Sequence, residues 1–157
     1  MKKGVITFIT GMGAFIGGFY FGQKSLVNII NNYKTKADRN LSNMIVLNDW
    51  LDYVYSGKKA EDFFHKNSYK RIMLYGNGYI GTRLSQALTD TDIEIVAIMD
   101  KTAKTSTNGL VLGIDAVIPD VDCIVITPVY FYDEIHTMLA DKTQVPIVSV
   151  KEIFMRR

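Results

Sequence analysis

The run Gly76-Asn77-Gly78-Tyr79-Ile80-Gly81 has the residue types and the spacing that let a backbone close on a phosphate. Gly76 permits a tight turn, Gly78 removes the Cβ that would hold a pyrophosphate off the backbone, and Gly81 lets a helix pack closely on a sheet. A helix starting there offers unpaired N–H groups to an anion. Asp100 lies twenty-odd residues downstream. A carboxylate at that place accepts hydrogen bonds from ribose hydroxyls and disfavours a 2′-phosphate, so NAD or a UDP-type nucleotide is expected in preference to NADP.

Such a turn works only between the right elements. Ile72 to Tyr75 reads as a buried strand, Thr82 to Leu88 as a helix with Leu84 and Leu88 on one face, and Ile93 to Met99 as the next strand, ending on Asp100. Beyond a polar stretch, 109–113 holds at most a very short strand and Cys123 to Thr127 a strong one, stopped by Thr127-Pro128. Tyr130 to Ala140 then reads as a helix, and Pro146 to Val150 as a last strand before a short tail helix. The pattern predicts an α/β fold, a Rossmann-like parallel sheet of four or five strands with helices on both faces, over residues 69–157. Ligands bind such sheets at the carboxyl ends of the strands. The predicted cofactor-binding set is therefore Gly76, Asn77, Gly78, Tyr79, Ile80, Gly81, Asp100, Lys101, Thr127 and Pro128.

Other chemistry is thin. Tyr-x-x-x-Lys pairs at Tyr20/Lys24 and Tyr55/Lys59 precede the glycine turn, the wrong order for a short-chain dehydrogenase. His65 and His136 form no local metal motif, and no nucleophile elbow is present. Tyr132 and His136, one helical turn apart, read as a surface pair, Asp133-Glu134 as an exposed helix face, and Asp120 and Asp122 as solvated strand-entry acids. No catalytic or metal-ligating residue is predicted.

From Gly4 to Gly22 there is no charged residue, and Lys2-Lys3 and Gln23-Lys24 flank the run. At about 1.5 Å per residue a helix there reaches roughly 29 Å, the thickness of a bilayer core. Residues 1–24 are read as an uncleaved transmembrane anchor. Lys24, Lys34, Lys36 and Arg39 after the span outnumber Lys2 and Lys3 before it, which predicts a cytoplasmic C-terminal part at the cell membrane. Gly4, Gly11, Gly18 and Gly22 fall near one helix face, a stripe through which a homo-oligomer or a membrane partner could pack, although glycine is also simply common in membrane helices. The alternative, that Ile9 to Gly17 is itself a dinucleotide turn, fails because no second strand follows it.

Residues 25–68 read as a helical connector. Leu26, Ile30, Tyr33 and Ala37 recur at helical spacing, Leu41, Met44, Ile45, Asn48, Leu51 and Tyr55 continue a similar face, and Gly57 is the expected C-cap. Ala60 to Asn67 makes a second helix. Trp50, Phe63 and Phe64 are expected to pack on the sheet. In a chain of 157 residues, 48% hydrophobic and 22% charged, a net charge of +2 gives no reason to invoke nucleic acid. The single Cys123 sits in an apolar strand and fits a reducing compartment.

The segments Trp50-Leu51, Gly57-Lys58, Phe63-Phe64, Asn67 to Lys70, Arg71 to Lys101 and Asp122 to Phe154 together resemble small Rossmann-like proteins encoded with bacterial cell-surface polysaccharide genes. The resemblance implies nucleotide or nucleotide-sugar binding by Gly76, Gly78, Gly81 and Asp100. The nucleotide-sugar-binding portions of sugar acetyltransferases and of polysaccharide-modifying epimerases have a similar glycine turn and a similar strand ending in Asp, but the resemblance supplies no activity, since the left-handed β-helix of the first and the catalytic lysine region of the second have no counterpart here. The expected function is a membrane-anchored nucleotide-binding accessory or sensor subunit of polysaccharide assembly. An NAD-dependent oxidoreductase or nucleotide-sugar epimerase borrowing its substrate site, and a non-binding structural adaptor, are the alternatives.

Overall fold

The computed structural model describes residues 2–102 and 111–155, and the side chains of residues 23, 25–102 and 111–155. The chain forms two compact units, Met1–Asp38 and Arg39–Arg157. Helix α1 (Lys2–Tyr55) supplies all the described structure of the first and opens the second. The expected anchor, 1–24, lies, but for Gln23, outside the residues whose side chains are described. Among the described residues no helix is long and apolar enough to cross a membrane.

Gly57 ends α1 as its position implied. Its φ of +80° is the left-handed conformation that glycine adopts without strain. The Gly57 and Lys58 amides donate to the Val54 and Tyr53 carbonyls at 2.9 and 3.3 Å, the paired bonds of a Schellman stop. Helix α2 (Ala60–Lys66) follows, with the Asp62 carboxylate accepting from the Lys59 amide at its start.

Five strands then build one all-parallel sheet: β1 (Arg71–Tyr75), β2 (Glu94–Met99), β3 (Val111–Leu112), β4 (Cys123–Ile126) and β5 (Ile147–Ser149), in the order β3-β2-β1-β4-β5. Helix α3 (Tyr79–Ala87) joins β1 to β2, α4 (Tyr132–Ala140) joins β4 to β5, and α5 (Val150–Phe154) follows β5. Near-continuous apolar runs such as Cys123-Ile124-Val125-Ile126 form strands here because both sheet faces are covered.

Alternation along β1 separates the two layers. Ile72 and Leu74 face a core completed by Leu84 and Leu88, by Val150, Ile153 and Phe154 of α5, and by Val46, Tyr53 and Phe64. Met73 and Tyr75 face the other core, completed by Ile124, Ile126, Ile135 and Leu139. Residues 39–55 of α1 thus belong to the folded unit, with Trp50 stacked on Phe154 at a ring-centroid distance of 4.3 Å. Burying one such side chain stabilises by about 1.5–3 kcal/mol.

One irregularity was invisible in the sequence. Pairing of β1 with β2 steps from Ile72↔Ile95 to Met73↔Ala97, so Val96 is extra. Val96 and Ala97 consequently both pack on the second core, and Ile98 returns to the first. Helix α3 also begins at Tyr79, three residues before the expected start, because the second half of the glycine run forms its first turn.

Candidate functional site

Strand register brings the predicted residues to one edge. Tyr75 pairs with Met99 on one side and with Ile126 on the other, so Gly76, Asp100 and Thr127 leave the sheet side by side. Backbone bonds continue past the strand ends: the Gly76 amide donates to the Met99 carbonyl at 2.7 Å, and the Thr127 amide to the Tyr75 carbonyl at 3.0 Å. This is the carboxyl edge between β1 and β4, where the chain direction across the sheet reverses, the usual ligand position in open parallel sheets.

The glycines have different tasks. Gly76 has φ +103°, and a Cβ on it would lie 2.7 Å from both Pro128 Cγ and Thr127 Oγ1. A Cβ on Gly81 would collide with the Gly76 carbonyl, so α3 is seated against the turn itself. At Gly78 a Cβ would meet nothing within 4 Å. Its φ of −84° is open to any residue. The first and third glycines are required by the protein, whereas the second keeps an open space open.

Thr127 is buried, and its hydroxyl lies 3.1 Å from each of the Tyr75 and Gly76 carbonyls, to which it donates a shared hydrogen bond. With Pro128 against Gly76, it positions the turn. Asp100 is engaged too. Its Oδ2 accepts from the Asn77 amide at 2.7 Å, and its Oδ1 accepts from the Thr102 amide and hydroxyl at 2.8 and 2.7 Å. Partial burial alone would raise its pKa, but these three donors overcome it and hold the carboxyl below its ordinary value. Asp100 therefore ties the β2 end to the glycine turn, a role that the expectation of ribose contacts did not include. A carboxylate has about four acceptor positions, so one stays available to a ligand hydroxyl.

A cleft of about 860 Å³ opens over this edge, within the range of small-molecule sites. Of the predicted residues, Gly76, Gly78, Tyr79, Ile80, Asp100, Lys101, Thr127 and Pro128 line it. Asn77 and Gly81 do not; they act through the Asp100 bond and the packing of α3. No side chain caps α3, and its first amides have no partner within the helix. Tyr75 also lines the cleft, its pKa raised by burial and then by the Asp100 and Glu134 charges.

The lining includes residues that sequence reasoning missed. Arg39, Asn40 and Asn43 come from α1, and Phe131, Glu134 and Met138 from the segment around α4. Nothing local distinguishes Arg39 from any solvated cation on an amphipathic helix, and only the packing of α1 through Val46 and Tyr53 brings it here. Among the described residues neither Arg39 nor Lys101 takes part in an ion pair. Glu134, expected on an exposed face, reaches the cleft rim. Asp120 and Asp122 lie at the opposite edge, and no cluster of three or more metal-binding side chains occurs among the described residues. No family model matches the chain, and neither a curated protein nor a solved structure matches it, so the geometry of this cleft carries the functional argument.

Proposed function

We propose that residues 39–157 form a Rossmann-like domain that binds a nucleotide or nucleotide sugar at the carboxyl edge of the sheet, with NAD or a UDP-type ligand favoured. The observation that carries this reading is the open space in front of Gly78, beside a turn whose other two glycines are sterically required. A diphosphate there meets the first amides of α3, and Arg39 and Lys101 offer two cations from the cleft walls. The apolar side chains of Ile114, Phe131 and Met138 suit a base or a sugar face. In this reading the protein sits at the cell membrane, anchored through residues 1–24 with this domain cytoplasmic, as an accessory or sensor subunit of cell-surface polysaccharide assembly.

Trp50 is the only tryptophan and packs on Phe154, so its emission reports unfolding of this unit. Thermal unfolding of the full chain, followed by that emission against NAD, NADP, UDP, UDP-sugars, CDP-sugars and ATP, tests the reading. One ligand class should raise the Tm, and Gly78→Glu should abolish the rise while folding normally. At a hundredfold excess over Kd the stabilisation is about 2.7 kcal/mol. No shift with any ligand, or a shift that survives Gly78→Glu, overturns the proposal. For the anchor, protease exposure of the C-terminal part in sealed vesicles decides orientation.

A further inference from the structure

Of the fifteen large apolar side chains exposed among the described residues, eleven lie on α1. They are not scattered. In residues 39–55 the buried positions are Val46 and Tyr53, seven apart. Half a helical turn away run Leu41, Met44, Asn48, Leu51 and Tyr55, spaced 3-4-3-4, whose four apolar members are 56% to 84% exposed. In residues 23–38, Leu26, Ile30, Tyr33 and Ala37 repeat at 4-3-4, with Asn31, Asn32 and Thr35 on the other faces. These are two heptad runs separated by a four-residue stutter between Ala37 and Leu41.

We propose that this seam pairs with the same seam of a second copy of the chain, as a parallel two-stranded coiled coil. Three observations select a second copy over another occupant. The seam is self-complementary, because in-register pairing sets each position against itself. Asn48 is the one polar residue among the five seam positions of 41–55, and it stands where the heptad has its a position. A single buried asparagine there pairs with its counterpart and fixes register and two-strandedness, at some loss of stability. Finally, Val46 and Tyr53 occupy the f positions, which an isolated coiled coil leaves in water; here they are buried in the chain's own core. The core therefore directs the a and d positions outward.

The area agrees. Eleven side chains left about half open amount to on the order of 500 Å² of apolar surface per chain. That is toward the top of the roughly 300–600 Å² of the largest patch on a monomer, and with a polar rim added it approaches the about 800 Å² per partner of a stable interface. The inference does not depend on ligand binding, since the seam and the cleft share no residue.

Single cysteines in the full chain, kept in mild detergent, test it. Cys123 is buried and does not compete. Under mild oxidation Leu51→Cys should give a covalent dimer, and Asp49→Cys, exposed on the same helix but off the seam, should give none. Light scattering should report a dimer for the unaltered chain and a monomer for the Met44→Glu, Leu51→Glu double variant, with the Trp50-reported Tm unchanged. A monomeric unaltered chain, equal cross-linking at both positions, or a dimer that survives the double variant would each overturn the proposal. So would a chain that binds phospholipid vesicles through this face while remaining monomeric.

Discussion

The two edges of the sheet use the same bond for opposite ends. At the carboxyl edge Asp100 accepts from the Asn77 and Thr102 amides; at the amino edge Asp122 accepts from the Lys70 and Arg71 amides, at 2.7 Å each. The amino edge is then closed by charge pairing. Arg71 reaches Asp120 at 3.0 Å and Glu94 at 3.4 Å, and Asp92 takes His65 at 2.6 Å and Lys70 at 3.4 Å. These exposed pairs contribute little stability each, but together they pair the charges of Arg71, Lys70, Asp92, Glu94 and Asp120 with one another or with His65. The carboxyl edge combines a carboxylate that accepts from the Asn77 amide and from the Thr102 amide and hydroxyl with two cations that, among the described residues, take part in no ion pair, over a cleft. One edge is closed by the protein's own charges, and the other leaves two cations beside an open cleft.

The sharpest way to break this contrast is through the glycines. Gly76→Ala combines a left-handed backbone with contacts under 3 Å to Pro128 and Thr127, and should destabilise by about 3 kcal/mol or more in denaturant unfolding. Gly81→Ala drives a methyl into the Gly76 carbonyl and should cost about 2–3 kcal/mol. Gly78→Ala should cost under about 1 kcal/mol. Equal losses at all three would mean that Gly78 is also held by the fold, and the open-space argument would fall.

A smaller effect is expected from Thr127→Val, which keeps the shape and removes the hydroxyl from two carbonyls. It should cost about 1–2 kcal/mol in the same assay, with ligand stabilisation weakened because the turn is less well held. Substituting the cations works the other way round. Arg39→Ala and Lys101→Ala should each leave Tm without ligand nearly unchanged and weaken ligand binding several-fold, whereas Arg71→Ala at the closed edge should leave binding intact.

The gentlest comparison is in pH. Asp100 and Asp122 both have lowered pKa values, the first where donor bonds outweigh burial and the second chiefly through the Arg71 and Lys70 amides. A carboxyl whose folded pKa is depressed contributes stability that is present above its unfolded value, near 3.9, and lost as pH falls through the folded value. Asp100→Asn and Asp122→Asn should therefore each flatten the decline of Tm from about pH 5 downward. Only Asp100→Asn should also reduce the ligand shift at neutral pH. A matching reduction from Asp122→Asn would show that the two edges are not independent.

The order of strands and helices was legible because each element carries its own local signal. Apolar β-rich runs, the glycine punctuation at 76–81, Thr127-Pro128 and Gly57 act within a few residues, where steric and hydrogen-bonding rules are short-ranged. The site was half legible for the same reason. Gly76, Gly78, Gly81 and Asp100 announce themselves by spacing, but the assignment of Thr127 and Asp100 to hold the turn depends on partners 51 and 23 residues away.

The amino-acid sequence by itself determined the alternation of elements, the glycine turn and the heptad spacing of α1, since these follow from backbone sterics and periodicity. Tertiary structure alone decided that Val96 is extra in β2, that Arg39 lines the cleft, that Gly78 faces space, and that Leu41, Met44, Leu51 and Tyr55 stay exposed while Val46 and Tyr53 enter the core. Those facts depend on which faces meet, and the meeting of faces is fixed by the packing of the whole core.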